Sequence, residues 1–307
     1  MKYPKERKAE LLIGLWNHCN NRCAFCYNQT LFDLPKNLQQ HLNMCKDMLR
    51  SNFMNDFDYL RFLGGELFDG SMEKLNAKED FFELMDLTVD LLKENKLEKV
   101  NFLTNLIYED NTLFKETLAL FAKNNLIDKV ELSTSYDVFG RFHRLNSEDW
   151  WWNNIKWIND TYPDMPIYIG IIMTQPFITT VTKDWLDNFC SSIKNQHMYF
   201  IELDTAILKR DKEHSPFKNL FPKRVDFLKF LNNLKDWGYY DALMKADGSD
   251  PWSTVDSIQL VHLDEFSFPI FKNQHFLLAQ RKAFREDGYI DSDVPLFDDV
   301  RKILHIK

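Results

Sequence analysis

Short apolar segments alternate with longer amphipathic ones along most of this chain, and that alternation restricts its fold more than any other feature. The apolar segments are Glu10 to Trp16, Tyr59 to Leu63, Lys99 to Leu103, Lys129 to Ser133, Ile167 to Met173 and Met198 to Leu203. Helical patterns follow them at Leu38 to Phe53, Glu79 to Glu94, Thr112 to Lys123, Ser147 to Asn159, Lys183 to Lys194 and Pro222 to Trp237. Asn111 and Ser147 stand where a side-chain oxygen can accept orphaned helix N–H groups. Strands joined through helices must run parallel, because a hairpin cannot connect them that way. The pattern therefore predicts an α/β fold of six strand–helix units. It stops at about Tyr239, and Gly248, Pro251, Pro269 and Pro295 punctuate the remainder.

At 307 residues the chain is long enough for one large domain with an extension. Its 26 Phe and 8 Trp predict a substantial core or an aromatic-lined cavity. No apolar run approaches the roughly 18 residues of a membrane span, and Met1 to Glu10 is charged, unlike a signal peptide. A cytoplasmic location is expected, where thiols stay reduced. The formal net charge of −8 lacks the basic footprint of proteins that bind extended nucleic acid. The local run Lys209-Arg210 with Lys212 reads as a solvated loop.

Cys19, Cys23 and Cys26 lie directly after the first apolar segment, in the spacing C-x3-C-x2-C. Three thiolates this close can hold three irons of a cubane iron–sulfur cluster and leave the fourth iron open to a ligand. Structural zinc is the alternative, but it wants four protein ligands, and His18 is the only nearby fourth. A disulfide framework does not fit three cysteines in a chain with no sign of secretion. Cys45 and Cys190 fall on predicted helices and read as inert thiols.

The run Cys19-Asn20-Asn21-Arg22-Cys23-Ala24-Phe25-Cys26-Tyr27 resembles the signature of the radical S-adenosylmethionine (SAM) superfamily, including the aromatic Phe25 before the last cysteine. Gly64-Gly65-Glu66, at the end of the second predicted strand, is similar to the superfamily's SAM-binding turn. There two glycines admit close backbone approach, and Glu66 would offer an anionic acceptor to the ammonium of SAM. The resemblance covers roughly the first 240 residues. It implies a partial (β/α)6 TIM-like barrel over 1–238 and a C-terminal extension, 239–307, packing on it. No cysteine lies beyond Cys190, so the extension lacks a second cluster motif. Its Phe266, Phe268, Phe271 and Phe276 would cover the exposed edge of an incomplete barrel.

The resemblance also implies an activity. A 4Fe–4S cluster on Cys19, Cys23 and Cys26 would reductively cleave SAM to a 5′-deoxyadenosyl radical that abstracts hydrogen from a substrate. An external donor such as flavodoxin or ferredoxin would supply the electron. Strand ends carry ligands in parallel α/β folds, and several fit the family. Thr104-Asn105 is similar to a Thr-Asn placed against SAM. Ser135-Tyr136-Asp137, just after Ser133, looks like a Ser-x-Asp that bonds the ribose or carboxylate. Arg141 or Arg144 is suited to clamp a carboxylate. Gly170, inside the fifth apolar segment, marks the close approach expected of the adenine. Each of these is equally readable as a cap, a turn or packing. Thr174, Gln175, Glu202 and Asp204 are expected to face the cavity. No catalytic residue is assigned. The substrate is read as a peptide or protein side chain, with a nucleoside or small metabolite as alternative and a non-catalytic metal-binding protein as a third.

Overall fold

Six parallel strands lie side by side in space in the order in which they occur in the chain. The computed structural model describes residues 9–15, 18–21, 23, 38–137, 141–142, 146–194, 196–201, 220, 223–239, 256–262 and 275–280. The strands are β1 (Ala9–Gly14), β2 (Tyr59–Leu63), β3 (Lys99–Leu103), β4 (Val130–Tyr136), β5 (Ile167–Ile172) and β6 (His197–Ile201). The helices are α1 (Leu38–Arg50), α2 (Ser71–Lys74), α3 (Lys78–Lys93), α4 (Thr112–Lys123), α5 (Ser147–Thr161), α6 (Gln175–Thr180), α7 (Lys183–Ile193) and α8 (Arg224–Trp237). A strand order that never reverses, with the usual right-handed crossovers, puts the connecting helices on one face of a sheet. The sheet is an open α/β sheet, compatible with a partial TIM barrel.

Strand register separates the two faces chemically. Ile13, Phe62, Phe102, Leu132 and Ile167 are neighbours in one row across five strands. This row lies beneath the helices. Phe62 stacks on Phe102 with ring centroids 5.5 Å apart, and Phe102 meets Phe121 of α4 edge-on at 5.9 Å. Burying one such side chain contributes about 1.5–3 kcal/mol. The opposite face carries Leu12, Arg61, Asn101 and Glu131 in the next row. There the Tyr59 hydroxyl donates to Glu131 Oε2 at 2.5 Å, and Asn101 Nδ2 donates to Ser133 Oγ at 2.9 Å. One face thus makes the core, and the polar face is left for the interior of the curved sheet.

Several boundaries move for identifiable reasons. Helix α1 ends at Arg50 rather than Phe53, because Ser51 accepts from the Phe53 N–H and opens a separate 3₁₀ turn, Asn52–Asp56. Asn146, at φ 64°, caps α5 in place of the expected Ser147. Asparagine tolerates the left-handed region better than serine does. Helices α2 and α6 were not expected. Helix α6 begins where Thr174 Oγ1 accepts from the Phe177 N–H. In the run Trp150-Trp151-Trp152 of α5 no ring is exposed. Trp151 is fully buried and meets Trp152 edge-on at 4.9 Å, while Phe189 of α7 covers Trp152 at 5.5 Å.

The segment beyond Tyr239 contributes two further strands, β7 (Asp256–His262) and β8 (His275–Gln280). Strand β7 runs parallel to β1, with Leu11 opposite Ile258, and β8 pairs antiparallel to β7. The sheet order is therefore β6-β5-β4-β3-β2-β1-β7-β8. The edge of β1, which would otherwise present unpaired backbone groups, is satisfied by backbone hydrogen bonds.

Candidate functional site

The ends of β1, β2 and β3 converge on the cysteine loop. The Glu66 N–H donates to the His18 carbonyl at 2.8 Å, so the Gly-Gly-Glu turn and the cysteine loop are joined directly. The sulfur atoms here accept hydrogen bonds, and Cys19 Sγ also faces Asn20 Oδ1 at 3.9 Å as a donor. Cys19 Sγ lies 3.4 Å from the Asn21 N–H and 3.5 Å from Asn105 Nδ2, and Cys23 Sγ lies 3.4 Å from Asn21 Nδ2. Cys19 is 5% exposed. A buried sulfur facing two N–H donors and a half-buried one facing a third suit thiolates bound to metal, because the donors offset negative charge that is costly to bury. Cys26 and Phe25 lie outside the described residues, as does Arg144. His18 turns its Nε2 to Asp69 Oδ2 at 3.4 Å.

Glu66 lies at the end of β2, with its carboxylate turned to the loop after β3. Its carboxylate is 0% exposed. Oε1 accepts from the Leu67 N–H at 2.9 Å, the Phe68 N–H at 3.1 Å and Thr104 Oγ1 at 2.8 Å; Oε2 accepts from the Asn105 N–H at 2.5 Å. Burial pushes its pKa up to about 7, against the lowering effect of these donors. Glu66 ties the end of β2 to the loop after β3.

Thr104 and Asn105 are likewise turned inward. Thr104 Oγ1 also accepts from the Leu106 N–H at 3.2 Å. Asn105 Oδ1 accepts from the Ile107 N–H at 2.6 Å, and Asn105 Nδ2 reaches Asn20 Oδ1 at 2.9 Å as well as Cys19. Asn20 Nδ2 then donates to the Ile107 carbonyl at 2.6 Å. Leu106, between them, holds φ at 56°, a strained value for a leucine that costs about 1–2 kcal/mol. Helix α5 supplies the constraint. Asn154 Nδ2 donates to the Leu106 carbonyl at 3.0 Å and the Tyr108 carbonyl at 3.3 Å, while its Oδ1 accepts from Asn111 Nδ2 at 2.9 Å. Asn111 thus spends its side chain on Asn154 and makes no side-chain cap on α4.

The end of β4 is built differently. Ser133 is buried and accepts from Asn101. Ser135 is half-buried, pairs in register with Gly170 of β5, and accepts from Arg141 Nη1. The Arg141 carbonyl accepts from Asn21 Nδ2 at 3.2 Å, which fixes the arginine to the cysteine loop. Arg141 Nε is buried and has no hydrogen-bond partner among the described residues. Arg141 is thereby placed beside the cysteine loop. Tyr136 faces away, donating to Glu148 among the aromatic side chains of α5 and α7. Gln175 was expected to face the cavity. It instead holds the start of α8, through Nε2 to Asp226 Oδ2 at 2.6 Å and Oε1 from the Lys223 N–H at 2.5 Å. Glu202 and Asp204 lie outside the described residues. Burial pushes the Cys45 thiol up, as suits an inert core group.

Sequence reasoning missed Asn20, Asn21, Asn154 and Leu106. Asn20 and Asn21 sit inside the cysteine motif, and that placement was the available signal. Asn154, in a helix of tryptophans, gave none.

No protein-family model and no curated protein matches the chain. Solved structures do. A histidine-tagged anSMEcpe with bound AdoMet superposes with TM-score 0.54 at 18% identity, over 78% of this chain and 64% of that one. The chain thus spans less than two thirds of that protein's length. The FeFe-hydrogenase maturase HydG from Carboxydothermus hydrogenoformans gives TM-score 0.42 at 14% identity, over 77% of this chain and 53% of its own. Dihydroorotase from Campylobacter jejuni gives 0.30 at 14% identity, over 79% and 69%. No helix among the described residues is long and apolar enough to cross a membrane. The likeness to the AdoMet-bound structure, at 18% identity, is one of fold: the chain shares the α/β fold of that structure.

Proposed function

We propose that this protein is a radical SAM enzyme. The observation that carries the reading is the 2.8 Å hydrogen bond from Glu66 to the carbonyl of His18, which joins two motifs far apart in sequence at one end of the sheet. Cys19, Cys23 and Cys26 would hold a 4Fe–4S cluster, and the N–H donors around the first two sulfurs fit that role. When bound, such a cluster supplies the electron that splits a carbon–sulfur bond of SAM and yields a 5′-deoxyadenosyl radical able to take hydrogen from a substrate.

The chain's own residues would bind and orient. Arg141, held between Ser135 and the cysteine loop, would receive the SAM carboxylate, its planar fork suiting two carboxylate oxygens. Backbone at Gly64-Gly65 would meet the amino group, with Glu66 bracing the turn from behind. Gly170 leaves room beside Ser135 for the adenosine. The polar face of the sheet would take the substrate, read as a peptide or protein side chain from the cysteine-loop and Ser-x-Asp runs. Residues 239–307 would pack on the barrel as an extension rather than fold alone, the pairing of β7 with β1 being the motive. A cytoplasmic flavodoxin or ferredoxin would be the reductant.

Anaerobic reconstitution tests this. About four irons and four sulfides per chain, with release of 5′-deoxyadenosine and methionine on adding SAM and dithionite, is the expected result. Stoichiometric zinc with no charge-transfer absorption would overturn it.

A further inference from the structure

Asn105 is positioned so that it cannot turn away from Cys19. Its backbone N–H is held by Glu66 Oε2 at 2.5 Å, and its Oδ1 by the Ile107 N–H at 2.6 Å. Those two contacts fix the plane of the side-chain amide. The amide nitrogen then divides its donors between Asn20 Oδ1 at 2.9 Å and Cys19 Sγ at 3.5 Å. The residue is 6% exposed, so water does not screen the contact. Asn21 adds donors from within the loop, its N–H to Cys19 and its Nδ2 to Cys23. The ring of donors is assembled from two separate segments, and the Asn105 arm comes from a strand end more than eighty residues away in the chain.

Reducing an iron–sulfur cluster adds one negative charge, which spreads in part onto the cysteine sulfurs. An N–H dipole aimed at a sulfur stabilises that charge more in the reduced than in the oxidised form. It therefore raises the reduction potential. Building on the function proposed above, we propose that Asn105 tunes the cluster: its side-chain N–H to Cys19 raises the potential at which the cluster accepts its electron, and so sets how strong a reductant the protein needs. Asn105 is on this reading a positioning residue that acts through Cys19 and makes no contact with substrate.

The test is a redox titration of the full-length, anaerobically reconstituted protein without SAM, read by electron paramagnetic resonance. Asn105→Asp keeps the acceptor for Ile107 and removes the donor to sulfur; Asn105→Ala removes both. Each should lower the reduced-to-oxidised ratio at a fixed solution potential about tenfold or more, which is ~59 mV for one electron. Asn154→Ala serves as control, because it unpins the same loop from α5 and touches no sulfur. It should leave the potential in place. Unchanged potentials in both Asn105 variants would overturn the proposal, as would an equal shift in Asn154→Ala. Loss of the cluster in both Asn105 variants would assign Asn105 to assembly and also overturn it. A wild-type protein with no iron–sulfur spectrum would instead overturn the enzyme reading itself.

Discussion

The loops after β3 and β4 sit side by side at one end of the sheet, yet they are built on opposite principles. In the loop after β3, each polar group described above is consumed internally, by Glu66, Asn20, Asn105 and Asn154. It can hold a leucine at φ 56° because so many bonds over-determine it. In the loop after β4, Arg141 is anchored by its backbone and one nitrogen, and its buried Nε has no partner among the described residues. Residues 104–107 of the loop after β3 are scaffold, because a ligand could reach their bonded groups only by breaking existing bonds. A cation with an unpartnered buried nitrogen beside the cysteine loop is poised to accept an anion. The family resemblance alone would have made both loops ligand contacts.

The largest effect bears on the cysteine loop that both loops brace. Cys19→Ala with Cys23→Ala and Cys26→Ala should abolish iron uptake altogether, measured as iron per chain after reconstitution. Retained iron at wild-type stoichiometry would remove the metal from this end of the sheet.

Breaking the scaffold side comes next. Asn154→Ala strands two buried carbonyls and the amide of Asn111. At about 1–3 kcal/mol for each unsatisfied group, partly relieved by relaxation, a loss of roughly 3 kcal/mol is expected in urea unfolding. A loss below about 1 kcal/mol would mean that the loop after β3 is not the scaffold described.

Glu66 sharpens the same point through pH. Its ordinary value is 4.5, and burial raises it to about 7 in the folded protein. A carboxyl raised on folding binds protons more tightly in the native state. Its contribution is therefore fully present below about pH 4.5 and is lost as pH rises through about 7, amounting to roughly 3 kcal/mol. The stability difference between wild type and Glu66→Gln should fall across that window. A difference that instead grows with pH would show that Glu66 is stabilised as the anion.

The smallest expected effect falls on the ligand-facing side. Arg141→Ala should weaken SAM binding about tenfold to a hundredfold by calorimetry, with a much smaller loss of stability than Asn154→Ala. Unchanged SAM affinity in that variant would erase the contrast between the two loops.

The strand–helix order was determined by the sequence alone, because hydrophobic periodicity is a local property. Strands β2 and β3 and helix α4 lie where the pattern placed them, and the other predicted elements shift by only a few residues. The cysteine spacing and the Gly-Gly-Glu turn were legible for the same reason, being short motifs on contiguous residues. Tertiary structure decided which polar residues spend their bonds on one another. Glu66 and Asn105 are bonded to each other, with Thr104 and Cys19 as further partners, and the Arg141 carbonyl is held by Asn21 of the cysteine loop. The pairing of β7 with β1, across most of the chain, was equally hidden, since a short strand names no partner. A hydrogen bond between Asn154 and Leu106 joins residues 48 positions apart. No periodicity or motif spacing encodes such a contact, because it exists only once the chain has closed on itself.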